Sequence, residues 1–392
     1  MITPRVAHLV YDLIRGGTEG QCARIAMGLS QQGAPQRVAV FHRRGYFLDA
    51  VETACGPVHV VAIRHLFRPS TLREIRRLTF WLRQNEMDIL HTWDADAAIF
   101  GQYAARWAGV KLITSRRDLG QIYPRWKNVM LRWADQRAVR VVANAEAIKK
   151  HFVAQGLAAD KMVVLPNMLD LDEFDALGQR PFSRENDLPA GRRLVVVNRL
   201  DPEKNTGLLI KALPLVRNQI PDAVLVIAGD GPEMPQLRRL AAEQGVQDAV
   251  CFLGEVHEVP ALLRRCEIGA MVPIRNEGLS NTILEYMAAG LPVLATDCGG
   301  NRELIRNDVT GRLVAESAPE REVAEAWTTL LQNGVEAVTI GRQGRAVVAA
   351  RHIPAIVLAL FLHVYEEIMG RPEARRSNSG TAARTRHRSI LH

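Results

Sequence analysis

The sequence predicts an α/β protein built from two parallel-sheet domains. Three observations point there. Short apolar runs alternate with helical patterns over the first 170 residues, as they do where crossover helices join parallel strands. Strand-like runs resume at Leu194 after a polar stretch, residues 178–191, that is rich in proline, glycine and charge. The chain of 392 residues is also longer than one hydrophobic core usually organises.

The first apolar run, Val6 to Val10, leads into Arg15, Gly16, Gly17, Thr18, Glu19 and Gly20, then a helical pattern through Ala23, Ile25, Ala26 and Leu29. Strand, glycine loop and helix is the layout of a phosphate cradle, and also of an ordinary strand-to-helix turn. Neither Gly-x-Gly-x-x-Gly nor Gly-Lys-Ser/Thr is present, so this is not a dinucleotide fingerprint or a P-loop. Further strand candidates are residues 37–41, 58–63, 89–91, 111–114 and 139–143. His91 and Asp94 form a small cluster after one of them, and a lone strand-end histidine is more often structural. Two stretches combine aromatic with basic residues: 78–82, between Arg77 and Arg83, and 122–133. Trp126, Met130 and Trp133 recur at helical spacing with Arg125, Lys127 and Arg132 between them. Such a helix either rests in a membrane interface or faces the core with a solvated basic side.

In the second half, Leu194 to Val197 runs into Asn198, Arg199, Asp201 and Lys204. An arginine fork and a mobile lysine at one strand end suit a diphosphate, although a strand and a charged loop would read the same way. Strands over 224–228 and 250–253 end at Gly229 and Gly254, and 268–274 leads to Glu277. Ligands of open α/β sheets bind beyond the carboxyl ends of the strands, and Arg199, Gly229, Gly254 and Glu277 all fall there. A helix is expected from Ser280 or Asn281, with Ile283, Leu284, Met287 and Ala288 on its inner face. Gly290 and Pro292 end it, and residues 293–295 form a buried strand. The free N–H groups of that helix start favour an anion. Glu285 lies about a turn in, and Thr282-x-x-Glu285 also fits a capping box.

Composition removes several classes. Five scattered cysteines with no Cys-x-x-Cys pair argue for free thiols, without a disulfide framework or a zinc site. The first residues lack the apolar core of a signal peptide, and the apolar run 353–362 is short of the ~20 residues of a membrane span. A cytoplasmic protein is expected. The net charge is +8 and the pI about 9.5. No nucleic-acid motif accompanies that charge, which fits an anionic substrate and peripheral contact with the inner face of an anionic membrane.

Glu277-x7-Glu285, followed by Tyr286, Met287, Ala288, Ala289, Gly290, Leu291, Pro292, Val293 and then Gly299-Gly300-x-x-Glu303, resembles the nucleotide-sugar site of retaining glycosyltransferase family 4. The resemblance covers most of residues 1–370 and is densest in the second half. It implies the GT-B fold: an N-terminal Rossmann-like acceptor domain over 1–170, a linker over 171–192 and a C-terminal donor domain over 193–352. A helix over 353–370 would cross back to the first domain, and a disordered basic tail would fill 371–392.

The resemblance also implies roles. Arg199 and Lys204 would clamp the diphosphate, and the backbone at Gly16 and Gly17 would approach its distal phosphate. Gly254, Glu255 and Val256 would meet the base, and Glu285 the ribose hydroxyls. Glu277 would position the donor sugar beside Gly278, Leu279, Ser280 and Asn281, with Gly229 at a neighbouring strand end. No metal and no cofactor are implied, only a nucleotide-sugar donor, UDP-linked by default, and a glycan or lipid-linked acceptor. The chain departs from the family pattern in three places. Met168 and Asn198 stand where glycine is usual, and Arg117, next to Asp118, stands where many members have a histidine. That pair is assigned to the acceptor or the reacting sugar. A sugar-nucleotide 2-epimerase or a silent nucleotide-sugar binder would share the architecture.

Overall fold

The computed structural model describes residues 3–63, 69–275 and 277–370. The first lobe holds seven strands: β1 (Val6–Val10), β2 (Gln36–Val40), β3 (His59–Val60), β4 (Ile89–Thr92), β5 (Lys111–Arg116), β6 (Arg140–Ala143) and β7 (Met162–Val164). They form one parallel sheet in the order β3-β2-β1-β4-β5-β6-β7. Its helices are α1 (Gly17–Gln31), α2 (Leu48–Cys55), α3 (Pro69–Gln84), α4 (Ala95–Ala108), α5 (Arg125–Arg137) and α6 (Glu146–Ala154). The second lobe has β8 (Arg192–Val197), β9 (Ala223–Ala228), β10 (Val250–Gly254), β11 (Ile268–Met271), β12 (Val293–Thr296) and β13 (Gly311–Val314). These pair, again in parallel, in the order β10-β9-β8-β11-β12-β13.

Both sheets reverse their winding beside the first strand of the lobe, between β1 and β4 and between β8 and β11. Right-handed crossovers then place helices on opposite faces on either side of that point. The central strands are covered on both faces and mostly apolar: every residue of β1 and of β9 is buried, His8 included. The loops that leave β1, β8 and β11 therefore emerge at the switch points, where a crevice opens.

The remaining helices are α7 (Leu171–Gly178), α8 (Gly207–Arg217), α9 (Met234–Glu243), α10 (Val259–Leu263), α11 (Asn281–Ala288), α12 (Asn301–Leu304), α13 (Glu320–Gln332), α14 (Gly334–Arg351) and α15 (Pro354–Ile368). The expected linker does not begin as a loop. Its first residues are α7, whose N-cap Asp170 accepts from Asp172 N and Glu173 N. The helix packs on α10, and its Asp175 pairs with Arg264 and Arg345. The expected strand over 58–63 shrinks to the two residues of β3 at the sheet edge. The tail expected over 371–392 lies outside the described residues.

Proline at the first helical position opens α15. By length and apolarity alone, the stretch Gly334–Ile368 would qualify as a membrane span, which the short run 353–362 does not suggest. The chain turns at His352, and α15 crosses back to the first lobe, where Val357, Leu358, Phe361, Val364 and Tyr365 are buried in the same core as α1. Leu358 presses so closely on α1 that a Cβ at Gly28 would sit 2.7 Å from its Cδ1. A buried polar chain locks this crossing. Tyr365 Oη meets His91 Nδ1 at 2.8 Å, His91 Nε2 meets Ser115 Oγ at 2.8 Å, and Trp93 Nε1 donates to His8 Nδ1 at 2.9 Å. Burial holds both histidines well below their ordinary pKa, so they are neutral hydrogen-bonding groups.

Tyr365→Phe keeps the ring but leaves a buried His91 nitrogen without its partner, an expected loss of about 1–3 kcal/mol. Chemical denaturation checks this, and an unchanged midpoint would show that the crossing depends on apolar contact alone.

Candidate active site

Two helix starts face each other across the crevice. Gly16 caps α1 with no side-chain hydrogen bond. Ser280 caps α11, its Oγ accepting from Ile283 N at 3.3 Å. This assigns the cap to Ser280, so Glu285 is not the acid of a capping box. The two starts touch through Asn281. Its Nδ2 donates to the Gly17 carbonyl at 3.1 Å, and its Oδ1 accepts from Asn167 Nδ2 at 2.7 Å and from Gln21 Nε2 at 3.2 Å. Asn167 Nδ2 also reaches the Leu279 carbonyl at 2.8 Å. Gln21 closes the set by exchanging two hydrogen bonds with the Met168 backbone, at 2.7 and 2.8 Å. Met168 thus occupies the usual glycine position without breaking the turn, because its own N–H and carbonyl are held by Gln21. Nothing in the sequence singled out Gln21. Its position one turn into α1 becomes informative only once the two lobes are joined.

A cavity of about 1000 Å³ lies between the lobes. It is bordered by Gly16, Gly17, Arg117, Arg199, Lys204, Gly229, Glu255, Val256, Glu277, Gly278, Leu279, Ser280, Asn281 and Glu285. Two expected residues are not on its wall. Gly254 ends β10 one residue short of it, and its carbonyl accepts from Gly229 N at 2.7 Å. Asp118 is used up by its own loop, accepting from Gly120 N at 2.7 Å and Tyr123 Oη at 2.9 Å. A carboxylate beside a tight turn is recruited by the nearest free N–H, a competition that sequence spacing does not reveal.

The cations come from the loop after β8. Gly229 permits that loop, since a Cβ there would lie 1.8 Å from the Asn198 carbonyl oxygen. Arg199 is 77% exposed at its side chain and grips Asp201 with two hydrogen-bonded contacts, at 2.7 and 2.9 Å. Those hydrogen bonds raise its pKa further. Lys204 Nζ pairs with Glu277 Oε2 at 2.7 Å, so one phosphate-clamp candidate and the sugar-holding candidate already share a contact.

The Glu277 loop is shaped from behind. Gly299, at φ +57, lies where a Cβ would be 1.9 Å from the Glu277 carbonyl oxygen, and Gly300 N donates to the Gly278 carbonyl at 3.2 Å. Glu303 then reaches the opposite lobe and caps α6, accepting from Glu146 N and Ala147 N, both at 2.9 Å. The Gly299-Gly300-x-x-Glu303 pattern therefore shapes the Glu277 loop and fastens the lobes together.

Three further groups carry shifted pKa values. Burial pushes Glu285 up to about 7, with Arg24 opposing. Burial also raises Glu19, against hydrogen bonds from its own N–H and that of Thr18. Glu19 thus places a carboxylate on the start of α1, at the third helical position where such an acid caps. Arg117 is held down to about 10 by burial. Its Nη2 donates to Asn167 Oδ1, and its guanidinium lies 5.5 Å from the Trp93 ring. A Cβ at Gly278 would come within 2.2 Å of the Arg117 carbonyl oxygen, so these loops meet backbone to backbone. His91 and Asp94 are structural. The first is in the α15 lock, and the second caps α4 by accepting from Ala97 N at 2.9 Å while also accepting from Tyr11 N at 2.7 Å.

The glycosyltransferase family 4 profile matches residues 15–173, and that of the glycosyl transferases group 1 matches residues 191–333. A GDP-mannose-dependent alpha-(1-6)-phosphatidylinositol monomannoside mannosyltransferase of Mycobacterium tuberculosis is 33% identical over 328 residues, 77% of this chain and 82% of that protein. The chain belongs to the family 4 glycosyltransferases. This glycosyltransferase is also similar to a UDP-Gal:alpha-D-GlcNAc-diphosphoundecaprenol alpha-1,3-galactosyltransferase of Escherichia coli, 28% identical over 59% of this chain and 64% of the relative. Anabaena HepE, solved with UDP and glucose, superposes with a TM-score of 0.82 at 21% identity, over 93% of this chain and all of that one. At that identity the likeness establishes the fold: GT-B, with two Rossmann-like lobes and the returning terminal helix. Among the described residues of this glycosyltransferase, no group of three or more His, Cys, Asp or Glu side chains could hold a metal ion.

Glu285 sets a pH signature. In the unfolded chain it ionises near 4.5, in the fold only near 7. Between those values the unfolded state has released a proton that the folded state keeps, so stability falls as pH rises through the window. Glu285→Gln should stabilise the ligand-free protein at pH 8 by on the order of 1–3 kcal/mol and leave it unchanged near pH 4. Denaturation curves at the two pH values test this. A gain that is equal at both would exclude ionisation as the cause.

Proposed function

We propose that this glycosyltransferase moves a sugar from a nucleotide-diphosphate donor to a hydroxyl of a lipid-linked or glycan acceptor, with retention at the anomeric carbon. The observation that carries the reading is the meeting of two helix starts, Gly17 and Asn281, with Lys204 and Arg199 on the wall of one cavity. As the bond from the anomeric carbon to the distal phosphate breaks, negative charge grows on the departing diphosphate. Preorganised N–H groups and cations stabilise that charge without reorganising. Lys204 and Arg199 do so from the donor lobe, and the starts of α1 and α11 from either side.

Glu277 holds the donor sugar and Glu285 the ribose hydroxyls. The acceptor oxygen bonds to the face that the phosphate leaves, and its proton passes to the departing phosphate oxygen, so no separate carboxylate base is needed. No metal takes part, because cations and helix dipoles already answer the diphosphate charge. Arg117 faces the same cavity from the acceptor lobe and offers a fork to the acceptor or to a donor hydroxyl. The relatives are named for GDP-mannose and for UDP-galactose, so both donor bases belong in a first screen. Acceptors on lipid carriers fit the same relatives. We place the enzyme in the cytoplasm, in keeping with its five free cysteines.

A thermal-shift screen of nucleotide sugars is the first test, since a cognate donor raises stability by mass action. With the donor in hand, Lys204→Ala and Glu285→Ala should each lower turnover tenfold or more, about 1.4 kcal/mol of barrier. Near-normal rates in both variants would defeat the site assignment. A chelator should leave the rate unchanged, and a loss restored by a divalent ion would overturn the metal-free mechanism. Donor binding with no transfer and no hydrolysis would identify a silent binder instead.

A further inference from the structure

Helix α5 is apolar on the side where a surface helix is normally polar. Its core face is short: Leu131, Ala134 and Asp135, the last paired with Arg116 at 2.5 Å. Its solvent face carries Trp126, Val129 and Trp133, which are 46%, 50% and 50% exposed, with Ile122 at 52% just before the helix. The spacings of three and four place Trp126, Val129 and Trp133 in one stripe on the helix, and Ile122 is exposed in the turn before it. A core explanation of the Trp-Met-Trp pattern therefore fails, because both tryptophans point outward and only Met130 is half-buried.

The exposed charges of α5 itself are all of one sign. Arg125 and Arg132 are exposed and form no ion pair with another described residue. Lys127 is neutralised by Asp96 at 2.9 Å. The one acid in α5, Asp135, is buried. Helix α3, on the other side of α4 in the same layer, repeats the pattern with Phe80 at 67% exposure.

We propose that this face of α5 docks on an anionic lipid bilayer, with the tryptophans at the head-group level and the arginines on lipid phosphates. Tryptophan beside arginine on an exposed helix face is the chemistry of an interfacial anchor. Two copies of the face would set arginine against arginine, which disfavours self-association. The aliphatic Ile122 and Val129 suit acyl chains rather than stacked bases. Position supports the same occupant. The loop that starts α5 begins with Arg117 on the cavity wall, so a docked α5 holds the mouth of the crevice at the membrane surface. This gives a lipid-linked acceptor its route, and in that respect the inference rests on the proposed transferase reading.

Flotation of the full chain with vesicles of phosphatidylcholine, with and without phosphatidylglycerol, tests the docking. The protein should float with the anionic vesicles and lose binding as salt rises. Trp126→Ser/Trp133→Ser and Arg125→Gln/Arg132→Gln should each weaken binding about tenfold or more, since one arginine at an anionic surface contributes about fivefold. Both variants should keep the wild-type thermal shift with the donor, because α5 is outside the donor site. Failure of the wild type to float, or variants that float like it, overturns the docking. So does a stripe variant that changes only the oligomeric state, which would mark a protein contact. A chain that floats yet responds to no nucleotide sugar keeps the docking and sinks the transferase reading.

Discussion

The cleft depends on one contact, the Asn281 side chain between the start of α11 and the start of α1. Two helix N-termini brought together repel, since each carries about half a positive charge. Here an amide bridges them: it donates to the Gly17 carbonyl and accepts from Asn167 and Gln21. The result is that two helix starts, with their free N–H groups, border one cavity together with Arg199 and Lys204. Glu277 already lies on Lys204, whereas at Glu19 burial outweighs the α1 start and raises the carboxyl's pKa.

The lobes are joined by polar contacts at defined points. Asn167 and Met168 hold the segment that leaves the first lobe, His352 Nδ1 meets the Asn167 carbonyl at 2.9 Å, and the His352 carbonyl accepts from Leu169 N at 2.8 Å. The outgoing and returning connections thus cross at one place. Glu303 adds a second fastening at α6, and Arg15 a third, donating to the His257 carbonyl at 2.8 Å. Hydrogen bonds of this kind can re-form with shifted partners, and they lie beside an apolar cluster that includes buried residues of both lobes.

The sequence by itself determined the layers and which loops border the cleft. Ala223–Ala228 can only be a covered strand, because nothing polar interrupts it, and Val6–Val10 reads the same way with His8 as its one polar residue; the order of strand, glycine and helix follows from local geometry. Glu277, Lys204, Arg199 and Glu285 were legible because strand ends and helix starts dictate where their loops emerge. Tertiary structure decided what depends on partners distant in the chain. Asp118 looked like a site residue until its own turn claimed it, and Gln21 was invisible until Met168 stood opposite. Which side of α5 faces water was equally undecidable, since apolar residues lie on both sides of its helical wheel and only packing against α4 selects one. Spacing encodes which residues share a face; the neighbours that compete for that face are set by the whole chain.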